Sequence, residues 1–500
     1  MKRSLKLMVS RWLLYLPGST SLNWEGNILL PPLPKEHIIA VGLLMTEKPT
    51  FASVIQNRGF LNLWINQILV QLSFNSLNFA LIIWVFKLTD SNTAVSALLF
   101  SIFLPATLLG LFTGVFVDVI DRRKIIMVIN LALSILFFSL IFLKGNYPAI
   151  LTITFLVNAL GQLYASAEAS AIPIIVKKQQ LLIANSLFSA TLYSAFLVGF
   201  GLAGPLINHA GINFVFILGG IALILAFFLS MLFPSIQSTP DKEGKILTLA
   251  LAKRDYSKIK EVGSFEIQQT LRLIRGKLPV LTSIVILAGV QMVTGILAVL
   301  VPGFLEKALQ IKATDASYVL IIPLGLGIIT GGIVLGRLGN SFIRRKLVAR
   351  AILFAGLLFF LVGAAPLISP AIKYFKNPRP VSFIYQLPLS KVLIVGSFLL
   401  GIAMVSILVP SQTVLQENTP EEDRGKVFAA LGAAMAGLSL VPIFISGLLA
   451  DAFGTTPIFI GLGLFIMMIG LFGLKPSIFF HKDSLPDRHK QFLGMGHWEK

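Results

Sequence analysis

Residues 114–124 read Gly-Val-Phe-Val-Asp-Val-Ile-Asp-Arg-Arg-Lys, and residues 336–346 read Gly-Arg-Leu-Gly-Asn-Ser-Phe-Ile-Arg-Arg-Lys. Each follows an apolar stretch and ends in a basic triplet, Arg122-Arg123-Lys124 and Arg344-Arg345-Lys346, at an offset of 222. A second echo comes later in each half. Gly204-Pro-Leu-Ile-Asn-His-Ala-Gly211 aligns with Gly447-Leu-Leu-Ala-Asp-Ala-Phe-Gly454 at an offset of 243. The 21 residues of difference fall where the second half carries a long stretch rich in Pro and Lys, residues 368–390. The two echoes and the added stretch agree on an internal duplication.

Outward from these echoes the chain is overwhelmingly apolar. Of 500 residues, 56% are hydrophobic and 13% charged, and mean hydropathy is +0.86. A soluble domain averages about 25% charged residues, so lipid must solvate this hydrophobic mass. A membrane helix needs about 20 mostly apolar residues. Twelve such spans are present, at 61–86, 93–117, 125–143, 147–166, 182–206, 212–233, 278–301, 316–336, 348–369, 391–414, 427–449 and 455–474. The predicted fold is therefore an all-α integral membrane protein of twelve transmembrane helices in two six-helix repeats. Its parts are a tail at 1–59, a first half at 60–233, a linker at 234–277, a second half at 278–474 and a tail at 475–500.

The formal net charge of +19 follows from where the cations sit. With both ends on one side, 33 of the 41 Lys and Arg fall in the tails and even-numbered loops. Lys87, Lys144, Lys307, Lys312, Lys373, Lys376, Arg379 and Lys391 make up the other 8. The positive-inside rule then puts both termini in the cytoplasm. Inner-leaflet attraction accounts for the basic balance, and no soluble basic fold remains to bind nucleic acid.

The run Gly114-x-x-x-Asp118-x-x-Asp121-Arg122-Arg123 resembles the loop 2–3 signature of the major facilitator superfamily. The stretches ASAEASAIPIIVKKQQLLIANSLFSA and VPSQTVLQENTPEEDRGKVFAALGAA resemble its bacterial drug and siderophore exporters. The resemblance covers about 58–474 and implies a bacterial plasma-membrane transporter, acting as a monomer by alternating access around a central cavity. It also implies that Gly114, Asp118, Asp121, Arg122 and Arg123 latch the state closed to the cytoplasm. Small residues at Gly110 and Gly114 suit close helix approach, and Asp118 suits a facing helix N-terminus. The second copy has no acid matching Asp118. In span five, Gly199-Phe-Gly201-Leu-Ala-Gly204-Pro205 has Phe200 where the family's antiporters carry an early Pro. Its GxGxxG spacing is read as close helix packing, because a dinucleotide site needs a strand and a soluble βαβ unit.

Polar groups inside a membrane face a bundle interior or a wet cavity. In span one, Gln67, Gln71, Asn75 and Asn78 recur on one helical face. Span four adds Asn158 and Gln162, span seven Gln291 and span ten Gln412. The family's cavity is lined by spans one, four, seven and ten, so these eight amides are the expected substrate contacts. Three carboxyls are open to a coupling proton: Asp118, Glu168 and Asp451. A neutral, mostly apolar cavity favours a small lipophilic or amphiphilic substrate. Efflux is the expected direction. The rivals are uptake or a lipid-like substrate and, in another class, a transport-inactive sensor or scaffold.

No enzyme is expected, and neither is a cofactor or a metal site. The chain has no Cys, and His37, His209, His481, His489 and His497 all lie in tails or loops. There is no GxxxxGK[ST] loop, and Glu421-Glu422-Asp423 precedes a helix start, where capping explains it. In the linker, residues 264–277 pattern as an amphipathic helix on the inner leaflet. Residues 1–44 are read as an upstream start-site assignment, with Met45-Thr-Glu-Lys as a family-like beginning, or else as a disordered tail.

Overall fold

A computed structural model describes residues 50–109, 121–143, 145–234, 274, 277–338, 344–373, 389–419 and 424–474. Residues 1–49, Gly114 and Asp118 lie outside these, as do most of the linker with its amphipathic stretch, residues 374–388 and Glu421 to Asp423. After a short helix, Phe51–Ile55, come α1 (Arg58–Thr89), α2 (Asn92–Leu109), α3 (Arg122–Phe142), α4 (Tyr147–Ile175), α5 (Leu181–Ala210) and α6 (Ile212–Ser230). The second series is α7 (Leu278–Gly303), α8 (Ile322–Leu338), α9 (Arg344–Lys373), α10 (Leu389–Glu417), α11 (Arg424–Phe453) and α12 (Thr455–Leu474). Short 3₁₀ and π turns between residues 304 and 321 extend α7 and α8. Twelve helices are long and apolar enough to cross a membrane, and no strand occurs among the described residues.

The two series pack to one plan. As α1 lies on α5, α2 on α4 and α3 on α6, so α7 lies on α11, α8 on α10 and α9 on α12. A cation repeats as well. Arg123 donates from Nη2 to the Met231 carbonyl at 2.6 Å, past the end of α6, and Arg345 donates to the Gly473 carbonyl of α12 at 3.3 Å. Positions 123 and 345 differ by 222, so the middle arginine of each triplet does the same work in both halves. A guanidinium there meets the carbonyls left open at a helix C-terminus. The two series meet where α2 packs on α11 and α5 on the start of α8.

Local chemistry sets the helix ends. Asn57 Oδ1 accepts from Gly59 N at 3.0 Å and caps α1, while its Nδ2 donates to the Ile175 carbonyl at 2.9 Å and ties that start to the end of α4. Asp121 caps α3 through Arg123 N at 3.0 Å. The sequence placed the end of span four at 166, yet α4 runs to Ile175. The added residues, Ala-Glu-Ala-Ser-Ala-Ile-Pro-Ile-Ile, carry an acid, Glu168, and a proline, Pro173, which read along the chain as the edge of a span. Alanine favours helix, and Ala167, Glu168 and Ala171 are buried by neighbouring helices. Outward-facing side chains stay apolar: Ile135, Leu438 and Val441 are each at least 60% exposed, which only a lipid surround makes economical.

Candidate functional site

The α1 row does not share a single environment. Gln67 is buried, and its Nε2 donates to the Phe188 carbonyl of α5 at 3.3 Å, while its Oε1 is buried without a hydrogen bond. Asn75 donates to the Gln71 carbonyl within its own helix at 2.8 Å. Gly199 of α5 presses against it: a Cβ on that glycine would stand 2.6 Å from Asn75 Cβ. Asn78 Oδ1 is also buried without a hydrogen bond. Gln71 is half-buried, and its side chain bonds no other described residue.

On the other expected lining helices the pattern recurs. Asn158 is buried and returns its amide to the Thr154 carbonyl of α4 at 2.9 Å. Gln162 and Gln291 are half-buried with no side-chain bond to another described residue. Gln412 of α10 donates to the Tyr193 hydroxyl of α5 at 3.2 Å, a contact between the two halves. Two open pockets lie elsewhere. One, about 850 Å³, is lined by Asn57, Arg58, Ile175 and Phe233, at the end of the bundle where α1 begins. The other, about 500 Å³, is lined by Asp90, Asn92, Lys307 and Asp451 at the opposite end. None of the eight amides lines either pocket.

A buried polar cluster escapes the sequence reading. Asn66 of α1 donates to the Ala226 carbonyl of α6 at 2.6 Å. Its Oδ1 lies 3.4 Å from Asn130 Nδ2 of α3 and 2.9 Å from the Tyr164 hydroxyl of α4. That hydroxyl is also 2.8 Å from Glu168 Oε1. Glu168 was singled out as a carboxyl, but Asn66, Asn130 and Tyr164 were not. The local signal was the four-residue spacing of Tyr164 and Glu168, with a lone Asn in the middle of span three.

The loop signature divides. Gly114 and Asp118 lie outside the described residues. Asp121 caps α3. Arg122 is 4% exposed and donates from Nε to Ser170 Oγ of α4 at 2.6 Å, and Arg123 holds the α6 end. The third carboxyl, Asp451, sits at the far end of α11 against the start of α2. Its Oδ1 accepts from Asn92 N and Nδ2 at 2.8 and 2.9 Å, and its Oδ2 from Ser91 Oγ and Thr93 N at 2.6 and 2.9 Å. Among the described residues no cluster of His, Asp and Glu could hold a metal ion.

Twelve membrane-length helices in two like-built halves, with amides and a carboxyl inside, have the architecture of a multi-pass membrane protein. The sequence matches the Major Facilitator Superfamily over residues 63–387, and the chain belongs to that family. It is similar to two uncharacterized MFS-type transporters of Bacillus subtilis (strain 168). YkuC is 26% identical over 62% of this chain and 71% of its own length, and YfiS is 23% identical over 86% and 94%. Among solved structures, a POT peptide transporter superposes with TM-score 0.62 at 13% identity, covering 89% of this chain and 98% of its own. A bacterial homologue of the iron transporter ferroportin gives 0.60 at 11%, covering 83% and 98%. At such identities these structures speak for the fold alone. The protein is a membrane transporter of this superfamily.

Proposed function

We propose that the chain is a secondary active exporter that works by alternating access. It carries a small lipophilic or amphiphilic compound out across a bacterial plasma membrane, with both termini in the cytoplasm. The observation that carries this reading is the α1 row. Gln67 Oε1 and Asn78 Oδ1 are buried acceptors without a bond, and the side chain of Gln71 between them bonds no other described residue. An unmet buried acceptor costs about 1–3 kcal/mol, which a polar group on a passing substrate would offset. Asn158, Gln162, Gln291 and Gln412 complete the lining in this reading. The charge split supports the orientation, and residues 60–233 and 278–474 are the two moving halves.

Of the three carboxyls proposed for a coupling proton, Glu168 has the geometry that suits it. The Tyr164 hydroxyl holds one hydrogen and stands within bonding distance of both Asn66 Oδ1 and Glu168 Oε1. Asn66 is oriented by its bond to Ala226, so its Oδ1 can only accept. A proton on Glu168 completes the run Glu168 to Tyr164 to Asn66, and its loss makes the two acceptors compete for one hydroxyl. The loop signature, Gly114, Asp118, Asp121, Arg122 and Arg123, is proposed as the latch of the cytoplasm-closed state.

The test is uptake of a panel of amphiphilic dyes and drugs into inside-out vesicles, with and without an imposed pH gradient. Gradient-driven uptake that a protonophore abolishes is expected. Gln71→Ala and Asn75→Ala should lower it at least tenfold at equal expression. Uptake of a headgroup-labelled lipid instead would select the lipid-like substrate. Full activity in both variants would remove the α1 row from the transport path.

A further inference from the structure

The end of the bundle that holds the α1–α2, α7–α8 and α11–α12 connections is joined across the halves by two crossings of one design. In the first, Gly447 of α11 lies against the start of α2, where a Cβ would stand 2.6 Å from Ser96 Oγ and 2.7 Å from the Asn92 carbonyl oxygen. One turn further on, Asp451 takes its four hydrogen bonds from Ser91, Asn92 and Thr93. In the second, Gly204 of α5 lies against the start of the eighth span. Its N–H donates to Ser317 Oγ at 3.2 Å, and that hydroxyl donates to the Phe200 carbonyl at 2.7 Å. One turn further on, Asn208 Nδ2 donates to Asp315 Oδ1 at 3.0 Å. Gly204 and Gly447 are mates in the duplication at an offset of 243, and so are Asn208 and Asp451. Each half therefore sends a glycine and, one turn later, a polar catch onto the start of a helix of the other half.

We propose that these paired crossings are the latch of this end of the transporter, and that Asp451 is its principal catch. The two catches are unequal. Asp451 sets a full carboxylate on the first N–H groups of α2, where the helix dipole and charge-assisted bonds act together. Asn208 makes one bond from a neutral amide. The nearby Lys307–Asp90 pair, 3.0 Å apart with Lys307 about half exposed and Asp90 mostly so, adds little of its own. The catch can also let go. Asp451 is exposed and borders the pocket of about 500 Å³, so water can take over both the carboxylate and the α2 N–H groups when the halves part. The buried Asn66 cluster offers no such exchange. A weld would sit in the interior, whereas a reversible catch belongs at a wet rim.

This inference rests on the alternating-access reading, so its test needs no substrate. The chain has no Cys, which makes Ser96→Cys a clean reporter inside the first crossing, where Ser96 is fully buried. The full-length protein in detergent is treated with a maleimide, and the labelling rate follows the fraction of molecules open at this end. Asp451→Asn keeps the shape but loses the charge, and turns an amide N–H₂ toward the α2 donors. Labelling is expected to rise about tenfold, and less in Asn208→Ala. Ser91→Ala, which removes one donor at the rim, should raise it severalfold and stands in if Asp451→Asn folds poorly. A measurable parent rate that neither Asp451→Asn nor Ser91→Ala changes would overturn the latch and leave alternating access standing. A lowered unfolding temperature with an unchanged labelling rate would reduce Asp451 to a helix cap and overturn the latch as well. No labelling in any background would mean that this end does not open, and both readings would fall.

Discussion

The two halves share a plan but hold their interiors together by different means. Among the described residues, the buried Asn, Gln, Arg and Glu side chains all lie between Asn66 and Glu168, in the first half. The buried polar side chains after residue 277 are Ser and Thr alone. In the second half, α9 and α12 meet through Gly356, Gly363, Gly463 and Gly470, and a Cβ at Gly470 would stand 2.5 Å from Leu353 N. Gly327 and Gly401 let α8 and α10 approach in the same way. Glycine contacts fix helices by shape, through close packing and dispersion, and hold one arrangement. Amide and carboxyl contacts fix them by direction, and the pattern changes when a proton or a ligand arrives. Among the described residues, the directional amide and carboxyl contacts are thus concentrated in the first half, and close glycine-to-backbone contacts between helices of one half are more numerous in the second.

The strongest way to break this contrast is to enlarge a glycine. Gly463 faces the Phe360 and Gly356 backbones, which cannot move aside without shifting a helix. Gly463→Leu is expected to cost about 3 kcal/mol or more, seen as loss of folded protein on size-exclusion chromatography. In the first half, Gly161 faces only the ring of Phe74, at 2.9 Å from its Cε1. A ring can turn, so Gly161→Ala should cost about 1 kcal/mol or less in a thermal unfolding assay. Equal losses at the two sites would mean that the halves do not differ in stiffness.

Much of this design could be read from the sequence, and what could not shares one cause. The twelve helices follow from hydropathy, and the duplication from Arg122-Arg123-Lys124 and its echo, because those signals are local. The packing role of Gly199-x-Gly201-x-x-Gly204 was also legible, but its division of labour was not. Gly199 meets α1 while Gly201 and Gly204 meet the eighth span. Two residues on is about 200° round a helix, so the split is natural once the neighbours are known. Asn66, Asn130, Tyr164 and Glu168 come from three helices and meet a fourth, and only the Tyr164–Glu168 spacing is visible along the chain. Asp451 stood out as a carboxyl open to a coupling proton, yet its partner Asn92 is 359 residues away. A sequence shows which groups a helix carries, and tertiary packing decides what they meet.

The next test bears on the directional side of the contrast. Tyr164→Phe removes the hydroxyl from between Asn66 and Glu168 and leaves both acceptors without it. The expected loss is about 1–3 kcal/mol in unfolding. Glu168→Gln keeps the volume and a hydrogen to donate toward Tyr164, so it should cost less than about 1 kcal/mol and yet remove the response of transport to a pH gradient. If Tyr164→Phe proves as stable as the parent, the cluster is not a working network, and the first half loses its distinction.

The finest test compares two serines of the two halves. Ser134 of α3 donates to the Gly220 carbonyl of α6 at 3.0 Å, so its bond joins two helices. Ser406 of α10 donates to the Ile402 carbonyl of its own helix at 2.8 Å and joins nothing further. Within a membrane an interhelical bond of this kind is worth about 0.6 kcal/mol, because the separated helices find other partners. Ser134→Ala should therefore lose about that much in reversible unfolding. Ser406→Ala should stay within about 0.5 kcal/mol of the parent on either side, since a serine bonding back along its helix slightly strains the turn it serves. A larger loss at Ser406 than at Ser134 would mean that hydroxyls help to hold the second half, and that glycine contacts alone do not account for its firmness.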